Sequence, residues 1–451
     1  MSAHFRWTVL LGLCVLAGCG GGGSSSPSGS TGSSGSSTSS SSSSGSSSSS
    51  SSGVSSSSGS NVVTITVNQG PPAAEGGTFN IPYTSVTVCQ PGTTTCATIN
   101  DVLVDTGSYG LRIMASALAL AGLTQSDLAD PNNPGNTLAE CLPFADGYTW
   151  GPLMGLDVSV GGERAPGATV NIIDDNGTFA PAAPSGCVTM GNNNSLNSVT
   201  AFDANGVLGV GVFDQDCGAS CAECSVGSGG GACDSSNDVY YTCDIATKSC
   251  GSTPVALTLQ VRNPVALFAV DNNGVILALP SVPPAGQTTA SGTLTFGIAT
   301  EANNALSGQT ILTLDGYGNF TTTYKSQTLD SSFIDSGSNG LYFPDSSITV
   351  CPNTQSNSSA SDFYCPPSPV SETAINQGLN GAMTTVPFEI MSLNSFTNNF
   401  YALSTIGGPA TVNAMLGSYF DWGLPFFYGR SVYVAIEGMT AGGTVGPYDA
   451  Y

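Results

Sequence analysis

The chain is almost without histidine and almost without positive charge. Its one histidine is His4, and 7 Lys and Arg stand against 30 Asp and Glu, giving a formal net charge of −23 over 451 residues. Each shortage excludes a chemistry. With so few cations there is no basic patch to neutralise phosphates, so no nucleic-acid partner is expected. His4 lies in a leader at the N-terminus, so the rest of the chain has no imidazole. That removes Ser-His-Asp and Cys-His nucleophile systems and every His-ligated zinc site. What remains is hydrolysis by carboxylates, hydrolysis by an unusual base such as Lys248 or Lys325, or no catalysis. Charged residues amount to only 8%, and Gly, Ser, Thr and Asn supply the polarity. Such a surface carries little positive repulsion when acid protonates its carboxylates, which fits tolerance of acid.

Long apolar runs are scarce too. Beyond the leader, no stretch is long and apolar enough for a transmembrane helix. Residues 1–19 read as a targeting signal, with Arg6 ahead of an apolar core from Val9 to Leu16. Leu16-Ala17-Gly18-Cys19 resembles the lipobox of bacterial lipoproteins. The resemblance implies cleavage before Cys19 and a lipid on it, so the membrane partner would be met through that anchor alone. The implied location is the cell envelope, with the outer membrane as the expected anchor site. An ordinary signal peptide with an incidental cysteine is the alternative. Residues 20–60 are nearly all Ser and Gly and cannot bury apolar surface. They are expected to be a disordered tether with a reach of roughly 35 Å.

From residue 61 onward the composition is that of an all-β protein. Val62–Val67 is β-branched, and strand candidates run over 85–89, 98–105, 154–160, 266–270, 274–279, 292–297, 310–314, 319–325 and 431–436. Asp271-Asn272-Asn273 and Asp315-Gly316-Tyr317-Gly318 have hairpin-turn compositions. A short helix is expected over 115–121. Of the 14 cysteines, Cys14 and Cys19 fall in the leader, and the even remainder suits an oxidising compartment. Proximity favours Cys89–Cys96, Cys141–Cys187 and Cys351–Cys365. Cys217, Cys221, Cys224, Cys233, Cys243 and Cys250 crowd a Gly-rich insertion, residues 214–253, that cannot build its own core. Three disulfides there are the expectation, and a Cys-only zinc knuckle on Cys221 and Cys224 is the alternative. Asp174-Asp175-Asn176-Gly177 suits an acidic turn better than a calcium site.

The chain is organised around a stretch that occurs twice. Asp105-Thr106-Gly107-Ser108-Tyr109-Gly110-Leu111 closes the apolar run Val102–Val104, and Asp335-Ser336-Gly337-Ser338-Asn339-Gly340-Leu341 closes Ser332–Ile334. A single Asp-Thr-Gly is a common turn, but two copies with matching flanks mark an internal repeat. Each copy is followed later by an apolar-apolar-Gly segment, Val207-Leu208-Gly209 and Met415-Leu416-Gly417.

These twinned motifs resemble the pepsin-like aspartic peptidases. The resemblance covers residues 61–440 patchily and implies a two-lobed all-β fold, with lobes at 61–260 and 261–451. It places Asp105 and Asp335 on the catalytic aspartates and Thr106 and Ser336 on the hydroxyls that tie the two loops together. Ser108 and Ser338 fall on the hydroxyls that bond the aspartates, and Gly107 and Gly337 on the turns. Leu208-Gly209 and Leu416-Gly417 fall on the supporting strands. The family's flap tyrosine has no obvious counterpart. Phe144 is near its place by spacing from Gly161-Gly162, with Tyr148 and Trp150 close by.

Two carboxyls a few ångströms apart cannot both ionise cheaply, so they share a proton. One can then activate water while the other polarises a peptide carbonyl, with no covalent intermediate and no cofactor or metal. The expectation is an envelope-tethered, monomeric aspartic endopeptidase acting on polypeptide. The alternative is an inactive relative that serves as a binding or scaffolding module. A two-carboxylate glycosidase fits less well, because those enzymes do not place their acids in twinned Asp-x-Gly-Ser loops.

Overall fold

Strand after strand shows why this sequence forms sheets. In β1 (Val62–Val67), Ile65 and Val67 are buried while Thr64 is exposed. In β3 (Cys96–Asp105), buried Ala97 and Ile99 alternate with exposed Thr98 and Asn100. The strand then turns wholly apolar at Val102-Leu103-Val104, where both faces are covered. The computed structural model describes residues 61–74, 78–120, 123, 127–222, 239–353, 360–397, 399–410 and 418–451. Residues 1–60 with Cys19, as well as Cys224, Cys233 and Leu416-Gly417, lie outside these residues. Among the described residues no helix is long and apolar enough to cross a membrane.

The protein is all-β. Its first half adds β2 (Pro82–Cys89), β4 (Tyr109–Met114), β5 (Thr137–Phe144), β6 (Gly147–Val160), β7 (Glu163–Ile173) and β8 (Gly206–Val210). A short helix, α1 (Ala115–Leu120), follows β4 as expected. The Cys-rich insertion supplies β9 (Tyr240–Asp244) and β10 (Ser249–Ser252). The second half contributes β11 (Gly274–Ala278), β12 (Ala290–Phe296), β13 (Ile311–Thr313), β14 (Phe320–Tyr324), β15 (Gln327–Ile334) and β16 (Leu341–Phe343). After these come β17 (Val370–Gln377), β18 (Met383–Ile390), β19 (Gly407–Pro409), β20 (Asp421–Trp422) and β21 (Ser431–Ala435). A small hairpin, β22 (Thr440–Ala441) with β23 (Thr444–Val445), precedes the last strand, β24 (Tyr448–Ala450).

The internal repeat is visible in the strand pairing. In the first half, β3 runs parallel to β8, β8 antiparallel to β4, and β4 parallel to β7. In the second half, β15 runs parallel to β20, β20 antiparallel to β16, and β16 parallel to β19. The order β7-β4-β8-β3 is therefore matched by β19-β16-β20-β15. The halves are also sewn together. Six residues of β1 pair with β12, so one 15-stranded sheet runs from the first half into the second. Apolar residues of both halves, among them Val104, Leu208, Phe343 and Trp422, share one core. Phe343, Phe420 and Trp422 stack within it, with centroids 4.8 and 3.8 Å apart.

Two strand expectations fail for local reasons. Residues 264–267 form a 3-10 turn, because Asn263 caps it through Val265 N–H and Pro264 presets its first φ. The stretch 266–270 is thus not a strand. Asp315–Gly318 does make a turn, but the strands it joins do not pair. β13 goes to β24, while β14 pairs with β15 and β17.

Disulfides join Cys89–Cys96, Cys141–Cys187, Cys217–Cys221, Cys243–Cys250 and Cys351–Cys365. The insertion is not held by sulfur alone, as its composition had suggested. Its strand β9 adds to β5 and buries Tyr240 and Tyr241 in the main body.

Candidate active site

Each strand that enters the twin loops delivers its aspartate to the same place. Asp105 ends β3, and its backbone lies opposite Gly209 of β8. Asp335 follows β15, and its N–H bonds Trp422 O at 3.1 Å. Within the first loop, Gly107 N–H donates to Asp105 Oδ1 at 2.8 Å and Ser108 Oγ to Asp105 Oδ2 at 2.6 Å. The second loop repeats this, with Gly337 N–H on Asp335 Oδ1 at 2.7 Å and Ser338 Oγ on Asp335 Oδ2 at 3.0 Å.

The loops then interlock. Thr106 N–H donates to Ser336 Oγ at 3.0 Å, and Ser336 N–H to Thr106 Oγ1 at 2.9 Å. Ser336 Oγ in turn donates to Val104 O at 2.8 Å, and Thr106 Oγ1 to Ile334 O at 3.3 Å. The glycines permit the approach. A Cβ on Gly107 would sit 2.6 Å from Asp335 Cγ, and one on Gly337 2.6 Å from Asp105 Oδ1. The Asn80 amide adds a further brace between the halves, donating to Asn339 O and Leu403 O at 2.8 Å each.

Burial acts on both acids. Both side chains are fully buried. Burial pushes Asp105 up, but hydrogen bonds from Asp335, Ser108, Gly107 and Gly337 favour its anion and limit the rise. Asp335 is held well above the usual carboxylate range by burial, then by the charges of Asp105 and Asp421. Both acids are thus pushed toward the neutral form, and as a pair in contact they share their protons rather than ionise independently.

The flap candidates are not brought to the dyad. β5 and β6 turn at Ala145-Asp146, so Tyr148 and Trp150 lie inside β6. The hairpin tip is tied down elsewhere, with Asn192 Nδ2 on Ala145 O and Asn194 Nδ2 on Asp146 O. Phe144 packs edge-on against Phe202, and Trp150 against Tyr241 with its Nε1 on Pro181 O. Tyr148 bonds Asn194 and Leu196 through its backbone. Phe144 and Trp150 are thereby core residues, which corrects the flap expectation for them, and Tyr148 is half-buried at the edge of the packing around Trp150.

The supporting strand of the second loop is also not the one the sequence suggested. The position matching Val207-Leu208-Gly209 is filled by Asp421-Trp422-Gly423. Asp421 is the acid that motif reasoning missed. It lies in a two-residue strand with no signature, and only Trp422-Gly423, an apolar residue before glycine, hinted at the site.

Behind the first loop is a buried ion cluster. Arg112 Nη2 reaches Glu140 Oε1 at 2.6 Å and Asp216 Oδ2 at 3.0 Å, while Nη1 donates to Tyr109 O at 2.7 Å. Burial opposes the charge of Arg112, but the two acids more than offset it. Tyr240 of the insertion donates to Asp216 Oδ1 at 2.6 Å, so the insertion braces the cluster.

Asp174 and Asp175 serve the chain itself, accepting from Phe179 N–H and from Ser116. Among the described residues no group of three or more His, Cys, Asp or Glu side chains is arranged to hold a metal ion.

No curated protein matches the chain. The family model described as "Protein of unknown function (DUF3443)" matches residues 57–451. The chain, with its twin aspartate loops, belongs to that family.

Proposed function

We propose that the protein is a pepsin-like, two-lobed aspartic endopeptidase, tethered to the bacterial cell envelope through a lipid on Cys19. The observation that carries this reading is the reciprocal bonding of Thr106 and Ser336, which brings Asp105 and Asp335 into one hydrogen-bonded pair. The matched strand orders around the two loops support it.

A carboxyl pair that shares a proton suits water-driven peptide hydrolysis. The Asp105 anion takes a proton from a water held between the carboxyls, and that water attacks the peptide carbonyl. Protonated Asp335 bonds the carbonyl oxygen as it gains charge. The tetrahedral diol then collapses as a proton passes from the dyad to the leaving amine. No acyl-enzyme forms, in keeping with a body that has no histidine. Both carboxyls are fully buried here.

That same burial is the observation favouring the second reading, an inactive pepsin-like module whose partner binds elsewhere. Incubating the protein with a mixed peptide library from about pH 3 to 7 separates the two. Cleavage that disappears with Asp335→Asn and with a statine-type transition-state analogue supports the peptidase. No cleavage by folded, disulfide-bonded protein at any pH rejects it.

A further inference from the structure

The second loop carries a third acid. Asp421 is fully buried on β20, beside β15 and β16. Ser338 Oγ lies between two carboxyls, 3.0 Å from Asp335 Oδ2 and 2.6 Å from Asp421 Oδ2. A hydroxyl has one proton and can donate to only one of them. The other contact needs a carboxyl that brings its own proton. Asp421 Oδ1 is buried with no hydrogen-bond partner. Among the described residues, no ion pair includes Asp105, Asp335 or Asp421. An ionised Asp421 would leave a bare anionic oxygen in a site without a cation, which is the costly form. A neutral Asp421 instead donates to Ser338, whose own proton then goes to Asp335.

We infer that Asp421 is a positioning residue that shares a proton with Asp335 through Ser338, so that three carboxyls act as one unit and Asp421 sets its alkaline limit. The effect on turnover rests on the peptidase reading, and the proton chain itself does not. The ionisable groups facing Asp421 are few. The twin loops bring Asp335 and Asp105. β16 brings Tyr342, whose hydroxyl donates to Asn339 Oδ1 at 2.5 Å. Burial, then Asp421, Asp362 and Tyr419, keeps that phenol neutral. The neighbouring Phe333 and Trp422 bring no charge. Burial raises Asp421 and the Asp105 charge adds to the rise, while a bond donated by Ser338, the arrangement of the charged form, would oppose it.

The consequence comes from counting protons. The competent form has one anion, Asp105, and two protons on Asp335 and Asp421. As pH rises, the next proton can leave from Asp421 while Asp335 keeps its own, and the new charge makes Asp335 harder to ionise. Without an acid at 421, the same loss falls on Asp335 directly.

The test compares wild type, Asp421→Asn, Ser338→Ala and the double variant in pH profiles of kcat/KM. The expected result for Asp421→Asn is an alkaline limb moved down by about one pH unit, with the acid limb in place. In the Ser338→Ala background that shift shrinks, because the connection is already cut. An unmoved alkaline limb in Asp421→Asn overturns the inference, as does a full shift without Ser338. A readout independent of turnover is the infrared carboxylic C=O band. Wild type should keep above pH 6 a buried protonated band that Asp421→Asn lacks and that Ser338→Ala displaces in frequency. A band indifferent to both changes overturns the proton chain even in an active enzyme. The expected band in a protein that cleaves nothing would retain the chain and reject only the peptidase.

Discussion

Thr106 and Ser336 each bond the other's backbone, at 3.0 and 2.9 Å, across two halves of the chain 230 residues apart. Both hydroxyls also reach a carbonyl in the strand entering the opposite loop, Ile334 O and Val104 O. Thr106→Ala leaves the buried Ser336 N–H without its acceptor. The expected cost is about 1–3 kcal/mol of stability, read as a lower urea midpoint. Cleavage should fall as well, because the spacing of the aspartates is set here.

Replacing Asp335 separates chemistry from stability. Asp335→Asn should lower kcat by about 10²–10⁴-fold, the usual worth of a positioned acid or base. It should also raise the melting temperature at neutral pH. Burial and the neighbouring charges oppose ionisation of Asp335, and an amide does not ionise. A variant less stable than wild type at pH 7 would show that Asp335 is not the proton carrier.

Stability should peak in mild acid. Burial raises Asp449 to about 8 and holds Asp335 and Asp421 well up. A carboxyl with a raised folded pKa costs nothing below its unfolded value. It then destabilises increasingly as pH climbs toward the folded value, because only the unfolded chain ionises freely. Asp345 works the other way. Burial raises it, but Lys325, Ser347 and Tyr324 more than offset this and bring it to about 2. Its stabilisation is present above the unfolded value of about 4 and is lost as pH falls toward 2. Thermal melts from pH 2 to 9 should therefore show a maximum near pH 4–5 and a decline through pH 8. Asp449→Asn should flatten that decline.

Arg112 stands between two buried acids and under the carbonyl of Tyr109. Removing it strands the carboxyls of Glu140 and Asp216 in the core. Arg112→Met should cost about 3–5 kcal/mol, measured by chemical denaturation. The same change with Glu140→Gln and Asp216→Asn together should recover much of the loss, which would identify stranded charge rather than lost packing as its source.

The parts of the site that the sequence disclosed are those with local chemistry. Asp105 and Asp335 stood out because a sharp turn beside a carboxyl needs Gly107 and Gly337, and because the turn occurs twice. The pairings Cys89–Cys96, Cys141–Cys187 and Cys351–Cys365 were suggested by proximity and are present. Asp421 was hidden because its role comes from a partner 83 residues away, reached through a two-residue strand. The flap assignment failed for a similar reason. Spacing from Gly161-Gly162 counts back along the hairpin to Phe144 at the end of β5, but says nothing of the body against which the hairpin tip folds. Asn192 and Asn194 decide that, and nothing near Phe144 announces them. The missing strand at 266–270 was legible after all, since Asn263-Pro264 is a helix-start signal that strand composition outweighed.

The pairing of β1 with β12 settles how the folded body meets a pull on its N-terminal side. Asn61 is anchored through its side chain to Phe296 O at 2.8 Å, and the next six residues lie in register against β12. Tension arriving ahead of Asn61 runs along the strand axis. It strains the β1–β12 bonds together in shear instead of opening them one after another like a zipper. Because β1 also pairs with β2 at Thr66 and Val67, the strain is passed into the first half and, through β12, into the second. A pull on the N-terminal side of Asn61 is thereby spread over the sheet that joins the halves, while the aspartate loops sit on other strands.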